Sequence, residues 1–363
     1  MANVDFCNQP PLCIGAHGAM DTLRWRLAQL SGRLSANRFW RVARKGFPVL
    51  QQMPQESAKE RTSYSPDFLY ILTTDRVRMA GFEKAIAQHS ACRALEIGCG
   101  PWAPLAELCL RQGAEVLAAE GCPKHAAWAR RQLRGRAEVL AARAEQLDTE
   151  ELRSFGPQLL VAELLGYTAS EEGAPAVLAD LQRRLGPLPA VPRSASSWMA
   201  PVPPLQLSGR DLLRNWLLHG AWLRRPSVGL YDCRNFPAPD LAPAQLWEDY
   251  CFESLDVLEG QLQQSRRLSF AVPSGAEVGG LLLWMRTELA EGIEIDTRRD
   301  FTSWNQYYLH LEPQRVDGEL VVSVDVDART EDVSYEFQVG SRFFSTKTTK
   351  REAPRPFAAK PSC

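Results

Sequence analysis

The sequence predicts an α/β fold: a parallel sheet flanked by helices, followed by an all-β, barrel-like C-terminal part. Three observations carry this. From about residue 91, short apolar runs alternate with helical ones: RALEIG, PLAELCLRQ, AEVLAAE and PKHAAWARRQL, with AEVLAAR and QLLVAEL as third and fourth strands. Short apolar runs separated by helices are the buried strands of a parallel sheet. Prolines then cluster at 187, 189, 192, 201, 203 and 204, which marks a boundary. Beyond it, GGLLLWMRTEL, QYYLHLEP, ELVVSVDVDA and VSYEFQV alternate in part with period two, as antiparallel strands do.

The 363 residues suit two or three domains at roughly 100–200 residues each. Residues 1–58 read as an N-terminal extension, irregular to about residue 20 and helical beyond. Its stretch 21–45 holds seven basic residues and one acidic on helical apolar spacing. That is an amphipathic helix packing on the main domain, or alternatively an organelle-targeting or anionic-surface helix. Residues 59–190 form the α/β domain and 191–346 the β domain. The latter has a helical arm near 209–225, DLLRNWLLHGAWLRR, and a mobile basic tail follows at 347–363.

Lysine plus arginine is 42 and aspartate plus glutamate 43, a net charge of −1. This excludes a globally basic nucleic-acid binder. No run approaches the roughly 20 apolar residues of a membrane span, and the first residues lack the pattern of a secretory signal. The nine cysteines form no CxxC pair, and no histidine pair has ligand spacing, so neither a metal site nor a disulfide framework is expected. The expected location is cytoplasmic or nuclear, with organelle targeting left open.

The most informative local feature is Leu95-Glu96-Ile97-Gly98-Cys99-Gly100. A strand ending in Glu-x-Gly-x-Gly and entering a helix brings bare backbone beside a ligand. The dinucleotide fingerprint is absent, because Ala103 replaces its third glycine, and there is no Walker lysine. Glu120 ends the second strand, 22 residues after Gly98, where a carboxylate accepts hydrogen bonds from ribose hydroxyls. Together these resemble the Rossmann-like class I S-adenosylmethionine-dependent methyltransferases. The resemblance implies S-adenosylmethionine as cofactor, held by Glu96, Gly98, Cys99, Gly100 and Glu120, with no metal.

The fourth strand ends in Val161-Ala162-Glu163-Leu164-Leu165-Gly166, and Glu172 returns nine residues after Glu163, beside Glu171. Two carboxylates facing one spot repel each other and call for a cation, which a planar guanidinium supplies. Here the chain resembles the protein arginine methyltransferases, whose double-glutamate loop has this interval. The text AELLG is closest to the branch that makes symmetric dimethylarginine. Asp75-Arg76-Val77-Arg78, with Phe82 and Ala85-Ile86, resembles the segment whose arginine holds the cofactor carboxylate. Ala144-Glu145 matches the adenine-reading position, and Phe301-Thr302-Ser303-Trp304 the loop walling the arginine channel. The resemblance spans roughly residues 64–345.

It implies methyl transfer to an arginine of a protein substrate. Glu163 and Glu172 orient the guanidinium, Trp304 and Ser303 line its pocket, and Arg78, Ala144, Glu145 and Leu72 serve the cofactor. It also implies a homodimer through the helical arm. Departures leave the product open: Ser303 leans towards symmetric methylation, whereas Leu72 is nearer the methionine of the asymmetric group. The aromatic residues over the cofactor reduce to Tyr64, Phe68 and Tyr70, and Pro101-Trp102 interrupts the glycine loop. A same-fold enzyme acting on a small guanidine or peptide, or a catalytically weak scaffold, are the alternatives.

Overall fold

The computed structural model describes residues 16–44, 49–52, 64–206, 208–210, 213, 228–234, 236 and 238–346. The expected arm and basic tail therefore lie almost wholly outside the described residues. The first helix, α1, runs from Ala16 to Ala43, so helix begins earlier than the irregular stretch to residue 20 allows. Strand β1, Val49–Gln52, is a second departure. It lies in what reads as an N-terminal extension, yet it pairs with a strand of the C-terminal part.

Most helices that follow start on residues suited to starting one. In α2, Pro66–Thr73, Ser65 caps the Phe68 N–H and proline fills the first turn. In α3, Arg76–His89, Asp75 takes the N–H groups of Val77 and Arg78. Helices α4, Pro104–Arg111, and α5, Pro123–Leu133, also begin at proline. Asp148 caps α6, Thr149–Phe155, and α7 spans Ala174–Leu185. Between them run β2 (Arg93–Ile97), β3 (Glu115–Ala119), β4 (Glu138–Leu140), β5 (Leu159–Ala162) and β6 (Ala190–Val191).

These five strands form one sheet in the order β4-β3-β2-β5-β6, all pairs parallel. The chain winds from β2 through β3 to β4, then returns to lay β5 on the other side of β2. The strand order thus reverses between β2 and β5. In an open parallel sheet the crevice at such a reversal, beyond the carboxyl ends of the strands, is where ligands bind. Ile97 and Ala162 are those ends.

The chain then builds antiparallel sheets, as the alternating patterns predict. Its strands are β7 (Ser194–Val202), β8 (Gly229–Arg234), β9 (Gln245–Cys251), β10 (Gln263–Ala271), β11 (Ala276–Ala290), β12 (Ile293–Asp296), β13 (Gln306–Val316), β14 (Glu319–Asp327), β15 (Ser334–Val339) and β16 (Arg342–Ser345). A short helix α8, Leu255–Gln261, precedes β10. One sheet has the order β1-β8-β13-β11-β7-β9, with β12 also on β11; the other is β10-β14-β15-β16. Trp247 of β9 meets Tyr335 and Phe337 of β15 at 5.5 and 5.4 Å, closing the two sheets over a shared apolar core.

Trp102 explains the departure in the glycine loop. Its indole N–H donates to the Pro66 carbonyl at 3.0 Å, and its ring meets Trp25, Tyr70 and Trp128. One buried side chain thereby ties α1, α2 and α5 around the loop. Gly32 of α1 faces the Tyr70 ring so closely that a Cβ there would lie 2.6 Å from it.

Candidate active site

The glycine loop leaves β2 with Gly98 and Gly100 at φ of +74° and +63°, a conformation that glycine adopts freely and L side chains resist. A Cβ at Gly98 would also press within 2.9 Å of Leu164. The Gly98 and Cys99 N–H groups donate to the Ala119 carbonyl. Glu120 fixes the rim, one carboxylate oxygen accepting from the Gly100 N–H at 2.9 Å and the other from the Cys122 N–H at 2.8 Å.

A cavity of about 780 Å³ opens at these strand ends. Its wall includes Leu72, Gly98, Gly100, Glu120, Ala144 and Glu145; Glu163, Glu172, Ser303 and Trp304 also line it. Arg78, Glu96 and Cys99 do not reach its wall and sit behind it, 4%, 2% and 3% exposed. Glu145 lies at the wet rim, paired to Arg143 at 2.6 Å.

Beside Glu163, the Arg78 guanidinium lies 2.6 Å from the carboxylate and 4.5 Å above the centre of the Trp304 ring. Burial pushes the Glu163 carboxyl up, and Arg78 and the Trp304 indole N–H draw it back part of the way. Glu172 accepts from the Tyr64 hydroxyl at 2.7 Å. Its own carboxyl is pushed up to about 8, by burial first and then by the charge of Glu163. The two glutamates therefore feel one another across the cavity. Glu171 lines the same cavity, but its carboxylate is taken up within the loop, accepting from the Tyr167 N–H at 2.8 Å and from the Tyr307 hydroxyl.

Asp75 joins the two halves of the site. One of its oxygens caps α3; the other accepts from the Ser303 N–H and hydroxyl at 2.5 and 2.8 Å. Arg78 donates to the Ser303 oxygen at 3.4 Å. From the opposite side, Arg234 of β8 holds the carbonyls of Thr302 and Ser303 at 2.6 and 3.0 Å. Ser303 is thus anchored as well as lining the pocket. Sequence reasoning gave no role to Asp75, Arg234 or Asp232. Asp232 also lines the cavity and accepts from Asn305 at 2.7 Å. An Asp-x-Arg pair in an ordinary strand has no local signature; only the β8–β13 register brings it here.

The cavity has room and suitable lining for a nucleoside joined to an amino acid, as in S-adenosylmethionine. Its volume lies within the usual range for such ligands. Two glycines leave bare backbone at the strand end, and a carboxylate stands at the end of the next strand. Behind the wall, Glu96 Oε2 and Arg78 Nε are buried without a hydrogen-bond partner among the described residues. Buried groups of this kind are normally satisfied. Among the described residues no cluster has the makings of a metal site.

No protein-family model matches the sequence, and no curated protein matches it. Solved structures do. Protein arginine methyltransferase 10 of Arabidopsis thaliana, described in a uniquely open conformation, is 16% identical with a TM-score of 0.55; the match covers 76% of this chain and 94% of that one. PRMT6, in a structure described as PRMT6-SAH, is 16% identical with a TM-score of 0.56, covering 75% of this chain and 99% of that one. The chain has the fold of these proteins: the parallel sheet with its helices, followed by the antiparallel sheets.

Proposed function

We propose that this chain is an S-adenosylmethionine-dependent protein arginine N-methyltransferase. The observation that carries the reading is the pose of Arg78. A guanidinium already rests, from behind the cavity wall, on Glu163 and over the Trp304 face, and both of these line the cavity together with Glu172. A site that accepts its own arginine in this way suits one from a substrate. The two solved structures of the same fold, named for arginine methylation and for a complex with SAH, support it.

Gly98, Gly100, Glu120 and Leu72 would hold the cofactor, with Ala144 and Glu145 at its adenine and Arg78 and Glu96 towards its amino-acid end. When bound, the cofactor supplies an electrophilic methyl group. The chain supplies the rest by position and charge. Glu163 and Glu172 accept hydrogen bonds from the substrate guanidinium and draw its positive charge towards the nitrogens they hold. The remaining nitrogen keeps more lone-pair density. Each charge-assisted bond contributes about 1.5–3 kcal/mol, and the Trp304 face a further ~0.5–2 kcal/mol. In its ionised form Glu172 receives the proton that the guanidinium gives up, and its raised pKa equips it to keep that proton. Arg78 must leave Glu163 before the substrate can bind there, and a cofactor carboxylate gives it somewhere to go.

The test is mass spectrometry of an arginine-rich protein mixture incubated with the full chain and isotopically labelled S-adenosylmethionine. Glu163→Gln and Glu172→Gln run in parallel. Labelled methylarginine from the parent, falling roughly a thousandfold in each variant, is the expected result; fragment ions then read mono-, symmetric or asymmetric products. Near-normal turnover by Glu163→Gln, or label on another residue type, overturns the assignment.

A further inference from the structure

Helix α1 has two faces of different character. The inner one is fitted to the molecule. Gly32 meets Tyr70, Trp25 meets Trp102, and Trp40 donates to Thr74 at 2.9 Å. Ser31 donates to Asp67 at 2.7 Å. The outer face carries Leu23, Leu27, Leu30 and Leu34, which are 49%, 55%, 55% and 64% exposed. Their spacing of four, three and four residues keeps them within about 60° of one another around the helix and makes a seam ~16 Å long.

A single exposed leucine needs no explanation. Four in one seam at the 3.5-residue repeat of a coiled coil do. The seam is narrow, and the aromatic residues of α1 that anchor best in a lipid interface (Trp25, Phe39 and Trp40) make ring contacts within the protein. This geometry suits another helix better than a bilayer.

The charges beside the seam specify that helix. Arg24, Arg26, Arg38 and Arg41 are all exposed. Arg26, Arg38 and Arg41 enter no ion pair among the described residues, and Arg24 has only an exposed contact with Asp21 at 3.7 Å. A second copy of α1 would set arginine against arginine, which is unfavourable at the flanks of a coiled coil. The other parts of the chain outside the described residues are poor in acidic residues: 1–15 hold one, 53–63 two, 207–227 one and 347–363 one.

We propose that the leucine seam of α1 is the docking surface for an acidic amphipathic helix of another protein, with apolar residues at the heptad seam positions and glutamates beside them. This holds whether or not the cavity transfers methyl groups, since the seam lies on the face of α1 turned away from the molecule.

The probe is a fluorescently labelled three-heptad peptide with leucine at both seam positions and glutamate at both flanks, kept monomeric by its own charge. A matched peptide carries lysine at the flanks. Binding to the full-length protein is read by anisotropy at low and high salt. The glutamate peptide is expected to bind, and to bind more weakly at high salt. Leu27→Ser with Leu30→Ser, and separately Arg26→Glu with Arg38→Glu, should each weaken it roughly tenfold or more. The charge-reversed variant should instead gain affinity for the lysine peptide. These residues face solvent, so an unchanged circular dichroism spectrum and melting temperature confirm intact variants. Failure of the glutamate peptide to bind overturns the proposal, as does equal binding of both peptides. So does seam-dependent binding to phosphatidylserine vesicles without peptide binding, or seam-dependent self-association on sedimentation.

Discussion

Glu172 holds its proton through neutral pH, because burial and the neighbouring Glu163 push its carboxyl up to about 8. A protonated carboxyl cannot pair with a guanidinium. The arginine-dependent kcat/KM, which reports the groups of the enzyme before arginine binds, should therefore rise with pH up to about 8 and level off above it. A profile already flat at pH 6 would show Glu172 ionised and undo this account of the pair. Tyr64 is the neighbour best placed to tune it, since its hydroxyl donates directly to Glu172. Tyr64→Phe removes that donor and should move the inflection of the profile upwards, leaving the alkaline plateau within a few-fold of the parent. At the same scale, Arg78→Lys keeps the charge but loses the planar fork. Cofactor affinity, measured by calorimetry, should fall about tenfold or more, while the fold stays intact.

At the scale of elements, the sequence was legible wherever chemistry is local. The glycine loop, the acidic end of β3, the glutamates after β5 and the strand alternation of the second half all have signatures spanning a few residues. Partnerships between distant elements were not legible. Asp75 has no role in the sequence reading, and in the fold it caps α3. That its second oxygen holds Ser303, 228 residues away, depends on how α3 meets the loop before β13. The edge strand β1 was missed for the same reason. Four residues, Val-Leu-Gln-Gln, have no pattern of their own and are ordered by pairing to β8. Asp75→Ala tests this double role. Losing a cap costs about 1 kcal/mol, and losing a charged bond from a buried loop about 1.5–3 kcal/mol more. Urea unfolding should show a loss of roughly 2–4 kcal/mol, with weakened arginine binding. A loss of only ~1 kcal/mol would mean that Asp75 is a cap and nothing else.

For the molecule as a whole, the arrangement that makes the site also makes a liability. Glu96, Glu172 and Asp232 are held by burial above their ordinary values, at about 8, about 8 and about 6. Burial also raises Glu163 and Glu248. Each is an acid that keeps its proton longer folded than unfolded. Between the two pKa values the folded state binds more protons, so stability must fall as pH rises. For Glu96 and Glu172 the window runs from 4.5 to about 8, and for Asp232 from 3.8 to about 6. The contribution is complete below the lower value and gone above the upper one. The melting temperature of the free protein should therefore decline from pH 5 to pH 8. Glu96→Gln, which removes the charge and keeps the shape, should flatten part of that decline. A cation in the cavity works in the opposite sense, since it favours the ionised acids. S-adenosylmethionine carries one on its sulfonium, so its stabilising shift in melting temperature should be larger at pH 8 than at pH 6. A melting temperature that rises between pH 5 and pH 8 would mean that these carboxylates are ionised and paired in the folded chain. The acidic cavity would then be a finished salt-bridge network, with no place left for an incoming guanidinium.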